Sequence, residues 1–191
     1  SKRKIKYFGV DVNSNLFKPL NCYETLGEFI KTEVGSENTY RLENVSSVRL
    51  DKSSFYNDLK GKVDLFLTSP PYFDKENYSD DKEQSFREFP DYSMWVSVYL
   101  KETFSHVFNL LKPKGVCLVN ISDIINKGNR LNLEIDTIKV LESIGFEYEF
   151  QIGMKQQIFM GLSRDSLIKR LYDENIDDYI KIEPILVFRK P

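Results

Sequence analysis

Cysteine, histidine and long apolar runs are scarce in this sequence. Its 191 residues include two cysteines, Cys22 and Cys117, and one histidine, His106. These residues cannot supply the clustered ligands of a zinc site, so we expect no metal. No apolar run approaches the roughly 18 residues of a membrane span, and the first residues do not resemble a signal peptide. We therefore expect a cytoplasmic protein without a membrane partner.

An excess of positive charge is also absent. The formal net charge is -2 and the sequence pI is about 5.6. A protein that binds nucleic acid by electrostatics alone needs clustered Lys and Arg to neutralise phosphates. The charge argues against such a binder, but it is compatible with an enzyme that has one local basic face.

The apolar pattern predicts one α/β domain over residues 1–191, because no linker, repeat or low-complexity tract interrupts it. Short β-branched runs bounded by turn residues predict buried strands. These runs cover residues 5–10, 45–50, 63–68 and 116–121. Helical spacing predicts helices over residues 94–111 and 131–144. Strands that alternate with helices favour a parallel sheet covered on both faces.

The motif with the clearest chemistry follows the predicted strand 63–68 and reads Ser69-Pro70-Pro71-Tyr72. In open α/β sheets, ligands bind at the carboxyl ends of strands. Two adjacent prolines have no backbone N–H and a fixed φ, so this segment is stiff and presents carbonyl oxygens. One interpretation of this pattern is a plain rigid turn. The other is a site for reaction at the exocyclic amine of a base, where Ser69 Oγ and the Pro70 carbonyl would accept hydrogen bonds from the amine N–H groups. Tyr72, and secondly Phe73, would stack on a flipped base.

The longer stretch from Asp64 to Ser79 resembles the catalytic motif of amino-directed DNA methyltransferases and its downstream extension. The resemblance implies a Rossmann-like class I sheet that uses S-adenosylmethionine, mostly parallel and ending in an antiparallel hairpin. It implies DNA as the partner and Ser69, Pro70, Pro71 and Tyr72 as catalytic residues. The expected hairpin strands are residues 146–152 and 182–188.

The resemblance also implies cofactor-binding residues. Asp11, after the first predicted strand, matches the acid that accepts the ribose hydroxyls of S-adenosylmethionine. Asp51 or Ser54 matches the segment that contacts the adenine ring, although solvated turn residues are an equal interpretation. Asp123, after the strand 116–121, would line the pocket.

The family's Gly-rich turn for the methionine end of the cofactor has no counterpart, because no Gly-x-Gly occurs in this chain. In the family order, the absent strand, turn and helix would precede Ser1. We therefore expect a truncated or processed chain, or one piece of a split enzyme that needs a partner chain. Loss of a central strand should expose the edges of both neighbouring strands.

DNA contacts are expected in residues 154–181, a possible insertion between the last two strands, although a solvated surface helix is as good an interpretation. The candidate contacts are Lys155, Arg164, Lys169 and Arg170. The resemblance implies a target as well, because in this family Ser before the two prolines favours cytosine N4 over adenine N6. Cytosine C5 chemistry is disfavoured because neither cysteine follows a proline. Methylation of RNA bases and a non-catalytic DNA-binding or assembly subunit are the alternatives.

Overall fold

The structure is a computed structural model that describes residues 4–18, 22–33, 37–75, 81–155 and 182–191. The strands are β1 (Lys6–Val10), β2 (Thr39–Glu43), β3 (Val63–Thr68), β4 (Leu111–Asn120), β5 (Ile124–Asn126), β6 (Asn129–Leu131), β7 (Glu147–Lys155) and β8 (Ile182–Arg189). The α-helices are α1 (Cys22–Thr32), α2 (Tyr56–Leu59), α3 (Ser85–Glu88), α4 (Tyr92–Met94), α5 (Lys101–Leu110) and α6 (Leu133–Ile144). Ser14–Phe17 and Ser47–Lys52 form 3-10 helices, and Trp95–Leu100 is π-helical.

The main sheet has the strand order β3-β4-β8-β7. β3 and β4 are parallel, whereas β8 runs antiparallel to both β4 and β7. The predicted antiparallel hairpin at the end of the chain is therefore confirmed. β7 and β8 each extend beyond the predicted bounds, to Lys155 and Arg189.

β1 and β2 form a separate parallel pair, with Val10 opposite Glu43. Among the described strands, none joins this pair to β3 through backbone hydrogen bonds. The separation lies where the resemblance places a central strand. It leaves β3 as an edge of the main sheet.

One face of the main sheet carries the hydrophobic core, where α5, α6 and the π-helical turn pack. The largest fully buried side chains of this core include Trp95, Phe104 and Phe188. The edge strand is different on its other face, because Leu65 and Leu67 are 53% and 63% exposed. An apolar patch of this kind usually marks a contact surface.

The ends of the helices have clear local causes. The Asp91 carboxylate accepts hydrogen bonds from the backbone N–H groups of Ser93 and Met94, so α4 begins there. α6 ends at Gly145, whose φ of 118° lies in the left-handed region that glycine adopts without a steric penalty. The predicted helix 94–111 is present, but it contains the π-helical turn, a feature frequent at functional sites.

The predicted strand at residues 45–50 is wrong. The strand lies earlier, at β2, where Tyr40 and Leu42 alternate with polar residues. Residues 47–52 form a 3-10 helix instead, and Leu50 packs into a smaller core cluster with Phe55. The apolar run was misleading because its side chains pack from a helical turn, with Leu50 in this smaller cluster and Val48 against the main core, rather than on alternate faces of a sheet.

Candidate active site

The segment Ser69-Pro70-Pro71-Tyr72, here called the SPPY loop, leaves the carboxyl end of β3 and turns sharply. The backbone N–H of Phe73 donates to the Pro71 carbonyl at 2.9 Å, and that of Lys75 donates to the Tyr72 carbonyl at 3.2 Å. Phe73 has a φ of 55°, which is unfavourable for a bulky side chain. Such local strain is often retained at functional sites, where it fixes a reactive geometry.

Phe73 points into the core. Its ring packs edge-to-face against Tyr92 and Trp95, with centroids 5.6 and 6.1 Å away. Only 6% of its surface is exposed, so it has no free face for a base. The predicted second stacking role for Phe73 is therefore corrected: this ring anchors the loop. Tyr72, which is partly buried against the same core, stays the stacking candidate.

The two predicted acceptors for the base amine differ from their neighbours in the loop. The carbonyls of Pro71 and Tyr72 are already engaged in the turn. Within the described residues, no donor reaches Ser69 Oγ or the Pro70 carbonyl. Ser69 is exposed, whereas Pro70 is buried. The roles of Ser69 Oγ and the Pro70 carbonyl as acceptors for the base amine stay predictions.

Asp123 and Lys155 lie at the same edge of the sheet as the SPPY loop. Asp123 follows the carboxyl end of β4, the parallel neighbour of β3. Because β7 runs alongside β8 with Lys155 opposite Ile182, its last residue also reaches this edge. The location suits the predicted DNA contact of Lys155. The other predicted contacts, Arg164, Lys169 and Arg170, lie outside the described residues.

The carboxylate of Asp123 is engaged by its own surroundings. Its Oδ2 accepts hydrogen bonds from Arg130 Nε and Nη2 at 3.1 and 2.7 Å, and its Oδ1 accepts the Glu134 N–H at 3.1 Å. Asp123 thereby fixes the start of α6 to β6. Its predicted place in a cofactor pocket remains a prediction, and a bound ligand would share this carboxylate with Arg130.

A second group of polar side chains, called the acid cluster, contains Asp11, Glu43 and Ser54. Asp11 follows β1, and its backbone N–H donates to the Glu43 carbonyl at the end of β2, at 3.2 Å. Asp11 Oδ2 accepts the Tyr23 hydroxyl at 2.7 Å, and its Oδ1 accepts the Asn13 N–H at 2.7 Å. Burial, followed by this bond to Asp11, raises the pKa of Tyr23. The Tyr23 hydroxyl makes the kind of contact that a ribose hydroxyl would make.

Glu43 was missed by sequence reasoning. Its carboxylate accepts the Ser54 backbone N–H at 2.9 Å and also the Ser54 hydroxyl, and it pairs with Arg41 at 3.1 Å. Burial opposes ionisation, but these hydrogen bonds and the Arg41 charge keep the pKa of Glu43 below its ordinary value. The sequence contained a signal for Glu43, because this acid ends β2, a strand of alternating polarity, just as Asp11 follows the neighbouring strand β1.

Asp51 does not join the acid cluster. It lies in the Ser47–Lys52 helix, where its carboxylate is 3.9 Å from His106 Nε2 and 3.5 Å from Lys52 Nζ. Of the two predicted adenine contacts, Ser54 is the one that bonds to Glu43, whereas Asp51 lies beside His106 and Lys52. His106 has a structural role, since its ring nitrogens bond to Tyr56 Oη and the Val48 carbonyl.

The acid cluster is connected to the chain that follows the SPPY loop. Ser14 donates from its backbone N–H, at 3.2 Å, and from its hydroxyl to the Asp81 carboxylate. Tyr99, one turn from Trp95, accepts a hydrogen bond from the Ser47 hydroxyl at 3.5 Å. Burial raises the pKa of Tyr99 to about 12, with a further contribution from the negative charge of Asp11.

In the described part of the chain, no group of three or more metal-binding side chains is placed to hold a metal ion. Within those same ranges, no helix has both the length and the apolar character needed to cross a membrane. Cys117 is buried in the core and Cys22 is exposed at the start of α1.

Comparisons with known proteins give the family. The type II methyltransferase M.MjaVI of Methanocaldococcus jannaschii is 31% identical over 117 residues, which are 59% of this chain and 56% of that protein. The chain thus spans about half the length of this curated relative. A protein of Thermus thermophilus described as a DNA modification methylase, solved with S-adenosyl-L-methionine, matches 77% of this chain and 54% of its own, with 23% identity and a TM-score of 0.47.

The 1,6-didemethyltoxoflavin-N1-methyltransferase of Burkholderia thailandensis, solved with S-adenosylhomocysteine, is 9% identical with a TM-score of 0.50. That match covers 98% of this chain and 72% of the other. It shows the fold alone, a Rossmann-like methyltransferase sheet. A family model for DNA methylases matches residues 63–191, which include the SPPY loop, Asp123 and the closing hairpin. The chain therefore belongs to the amino-directed DNA methylase family.

Proposed function

We propose that this chain is the larger part of a DNA methyltransferase that moves a methyl group from S-adenosylmethionine to the exocyclic amine of a flipped base. The observation that carries the proposal is the SPPY loop itself. It lies at the carboxyl end of β3, is anchored by the buried ring of Phe73, and presents Ser69 Oγ and the Pro70 carbonyl as acceptors.

These two oxygens address the difficulty of the reaction. The lone pair of the base amine is delocalised into the ring, so the nitrogen is a poor nucleophile. Hydrogen bonds accepted by Ser69 Oγ and the Pro70 carbonyl orient the amine and favour a tetrahedral nitrogen. Bound S-adenosylmethionine would supply the methyl group to this nitrogen, and the methylated amine would release its surplus proton to solvent. Tyr72 holds the extruded base by stacking, a contact worth about 1–3 kcal/mol per base.

The acid cluster supports the proposed cofactor. S-adenosylmethionine presents two ribose hydroxyls and an adenine amine as donors, and Asp11 and Glu43 supply adjacent carboxylates at the ends of β1 and β2. The ribose hydroxyls would replace the Tyr23 hydroxyl at Asp11 Oδ2. When bound, the cofactor supplies the activated methyl group.

We further propose that full activity needs a strand–turn–helix segment with a Gly-rich turn, supplied by an upstream extension or a partner chain. The separate β1–β2 pair, the unpaired edge of β3 among the described strands, and the exposed Leu65 and Leu67 support it. A strand between β1 and β3 would pair with both edges, and the following helix would cover these leucines.

The target base in this proposal is cytosine N4 rather than adenine N6, because Ser69 replaces the acid or amide that the resemblance associates with adenine. The test is transfer of isotopically labelled methyl from S-adenosylmethionine to unmodified DNA, followed by nucleoside analysis. This chain and an upstream-extended chain are compared, each with Ser69→Ala as the matched variant. Labelled N4-methylcytosine that is lost in the variant is the expected result.

Labelled N6-methyladenine would keep the reaction and change the base. Activity in the extended chain alone would support the need for the additional segment. No label on DNA from either chain would overturn the proposal. The alternative is then a non-catalytic DNA-binding or assembly subunit, which the engagement of both Asp11 oxygens by protein donors favours. Label on RNA instead would identify an RNA base methyltransferase.

A further inference from the structure

A small hairpin, β5 and β6, projects beside the SPPY loop, and sequence reasoning did not identify it. Its strands pair antiparallel with Ile125 opposite Arg130 and Asn126 opposite Asn129. Lys127 and Gly128 form the connection and have φ values of 48° and 82°. Positive φ at both central residues is characteristic of the tight type I′ turn, so this hairpin has a defined shape.

The hairpin is anchored to the candidate active site. Ile124 and Leu131 pack against the main core, which also contacts Tyr72. Asn126 Nδ2 donates to the Asp74 carboxylate at 2.8 Å, and Asp74 lies two residues after Tyr72. Any shift of the hairpin would therefore disturb the chain that leaves the SPPY loop.

The other face of the hairpin is open to solvent. Ile125 is 66% exposed, and the Arg130 side chain is 72% exposed while it pairs with Asp123. Lys127 is exposed at the tip. Side chains alternate along each strand, so the residues that anchor the hairpin and the residues that it displays lie on opposite faces.

The residue at the tip is unusual for its backbone conformation. Positive φ at the first turn position is best met by Asn, Asp or Gly, because other side chains crowd the backbone there. Compared with Asn, Asp or Gly, a lysine at this position makes the turn less stable and adds an exposed positive charge. Because the protein carries a net charge of -2, a cation held beside the active site is a notable candidate for contact with an anion.

We propose that the β5–β6 hairpin contacts the sugar–phosphate backbone of DNA next to the flipped base, through Lys127 at its tip and Arg130 on its outer face. The proposal rests on the proposed function, since it concerns DNA bound at the SPPY loop. Of the nearby carboxylates, Asp123 offsets the charge of Arg130, so Lys127 supplies the main attraction for phosphate. Asp74 lies on the anchored face, where it accepts from Asn126 Nδ2. The hairpin then holds the strand from which the base has been extruded.

The test uses Lys127→Asn, which removes the charge and supplies the residue that this turn prefers. Lys60→Asn is the matched control, because Lys60 is exposed at the amino end of β3, the opposite edge of the sheet. Binding to a fluorescein-labelled duplex of mixed sequence is followed by anisotropy over a series of salt concentrations. We expect Lys127→Asn to weaken binding roughly five- to tenfold and to reduce the salt slope by about 0.9, the effect of one lost phosphate contact.

The thermal midpoint of Lys127→Asn should equal or exceed that of the unchanged chain, which excludes unfolding as the cause. If the unchanged chain binds and Lys127→Asn behaves like Lys60→Asn, the role of the hairpin is overturned and the proposed function stands. If neither the unchanged chain nor its upstream-extended form binds the duplex at low salt, both are overturned.

Discussion

The main sheet and the β1–β2 pair carry different parts of the candidate site, and they differ in how tightly their side chains are packed. Among the described residues, the core behind the SPPY loop contains sixteen buried residues, whereas the cluster beneath β1 contains four. Tyr7 on β1 is 58% exposed and Tyr40 on β2 is 38% exposed. The region proposed to hold the base is therefore well packed, and the region proposed to hold the cofactor is not.

This difference indicates how the two halves would work. A catalytic loop must hold its acceptors in fixed positions, and the buried rings of Phe73 and Trp95 provide that support. The acid cluster is held by hydrogen bonds among its own members, and a ligand can replace those bonds. Local stability in proteins varies in this way, with binding segments drawn from the less stable parts.

The largest effect should come from deleting a core ring. Phe104 is fully buried and packs edge-to-face on Phe66, so Phe104→Ala should lower the free energy of unfolding by about 3–5 kcal/mol. Phe8→Ala is the comparison in the β1–β2 half, where Phe8 is only partly buried. Urea denaturation should show a much smaller loss for Phe8→Ala. Equal losses would contradict the difference in packing.

The next effect concerns the base. Tyr72→Ala removes the proposed stacking surface and should weaken binding of a flipped base by about 1–3 kcal/mol, whereas Tyr72→Phe keeps the ring and should retain most activity. Methyl transfer is measured for both in the upstream-extended chain. If Tyr72→Phe is as damaged as Tyr72→Ala, the hydroxyl and not the ring face would carry the function.

A smaller effect is expected in the acid cluster. Asp11→Asn halves the acceptor capacity offered to ribose hydroxyls, so the affinity for S-adenosylmethionine should fall roughly tenfold. Tyr23→Phe removes a competing donor at Asp11 Oδ2 and should leave the affinity equal or higher. Calorimetric titration of the extended chain measures both. A loss in Tyr23→Phe as large as in Asp11→Asn would assign Asp11 a structural role.

The sequence correctly predicted the strands that are short apolar runs bounded by turn residues. β3 agrees with its predicted bounds, and α6 begins two residues late. The strand at 45–50 failed because short apolar runs fit a helical turn as well as a strand. The β5–β6 hairpin was missed because each strand has only three residues. Its signal was the Gly128 turn between two apolar stretches.

Within the candidate site, the sequence indicated which residues follow the strands but not how their side chains are oriented. The stacking role of Phe73 could not be excluded beforehand, because the backbone turn that buries its ring is visible only in three dimensions. Ser54 and Asp51 were equivalent candidates, and only the structure shows that Ser54 bonds to Glu43. Asp11 stays a predicted ribose contact, identified because an acid that follows a strand has a recognisable position.

The smallest effect is a difference in thiol reactivity between the two cysteines, Cys22 beside the β1–β2 pair and Cys117 in the main sheet. Burial raises the pKa of the Cys117 thiol, whereas Cys22 is exposed on α1. The raised pKa keeps the proton on Cys117 in the folded protein. The stability that this neutral thiol contributes is therefore complete below the unfolded thiol's pKa, near 8.5, and is lost as pH rises above that value. At pH 8, a thiol reagent should therefore label Cys22 quickly and Cys117 only after denaturation. The Cys22→Ser variant should show no fast labelling, and fast labelling in that variant would mean that the main core opens as readily as the β1–β2 half.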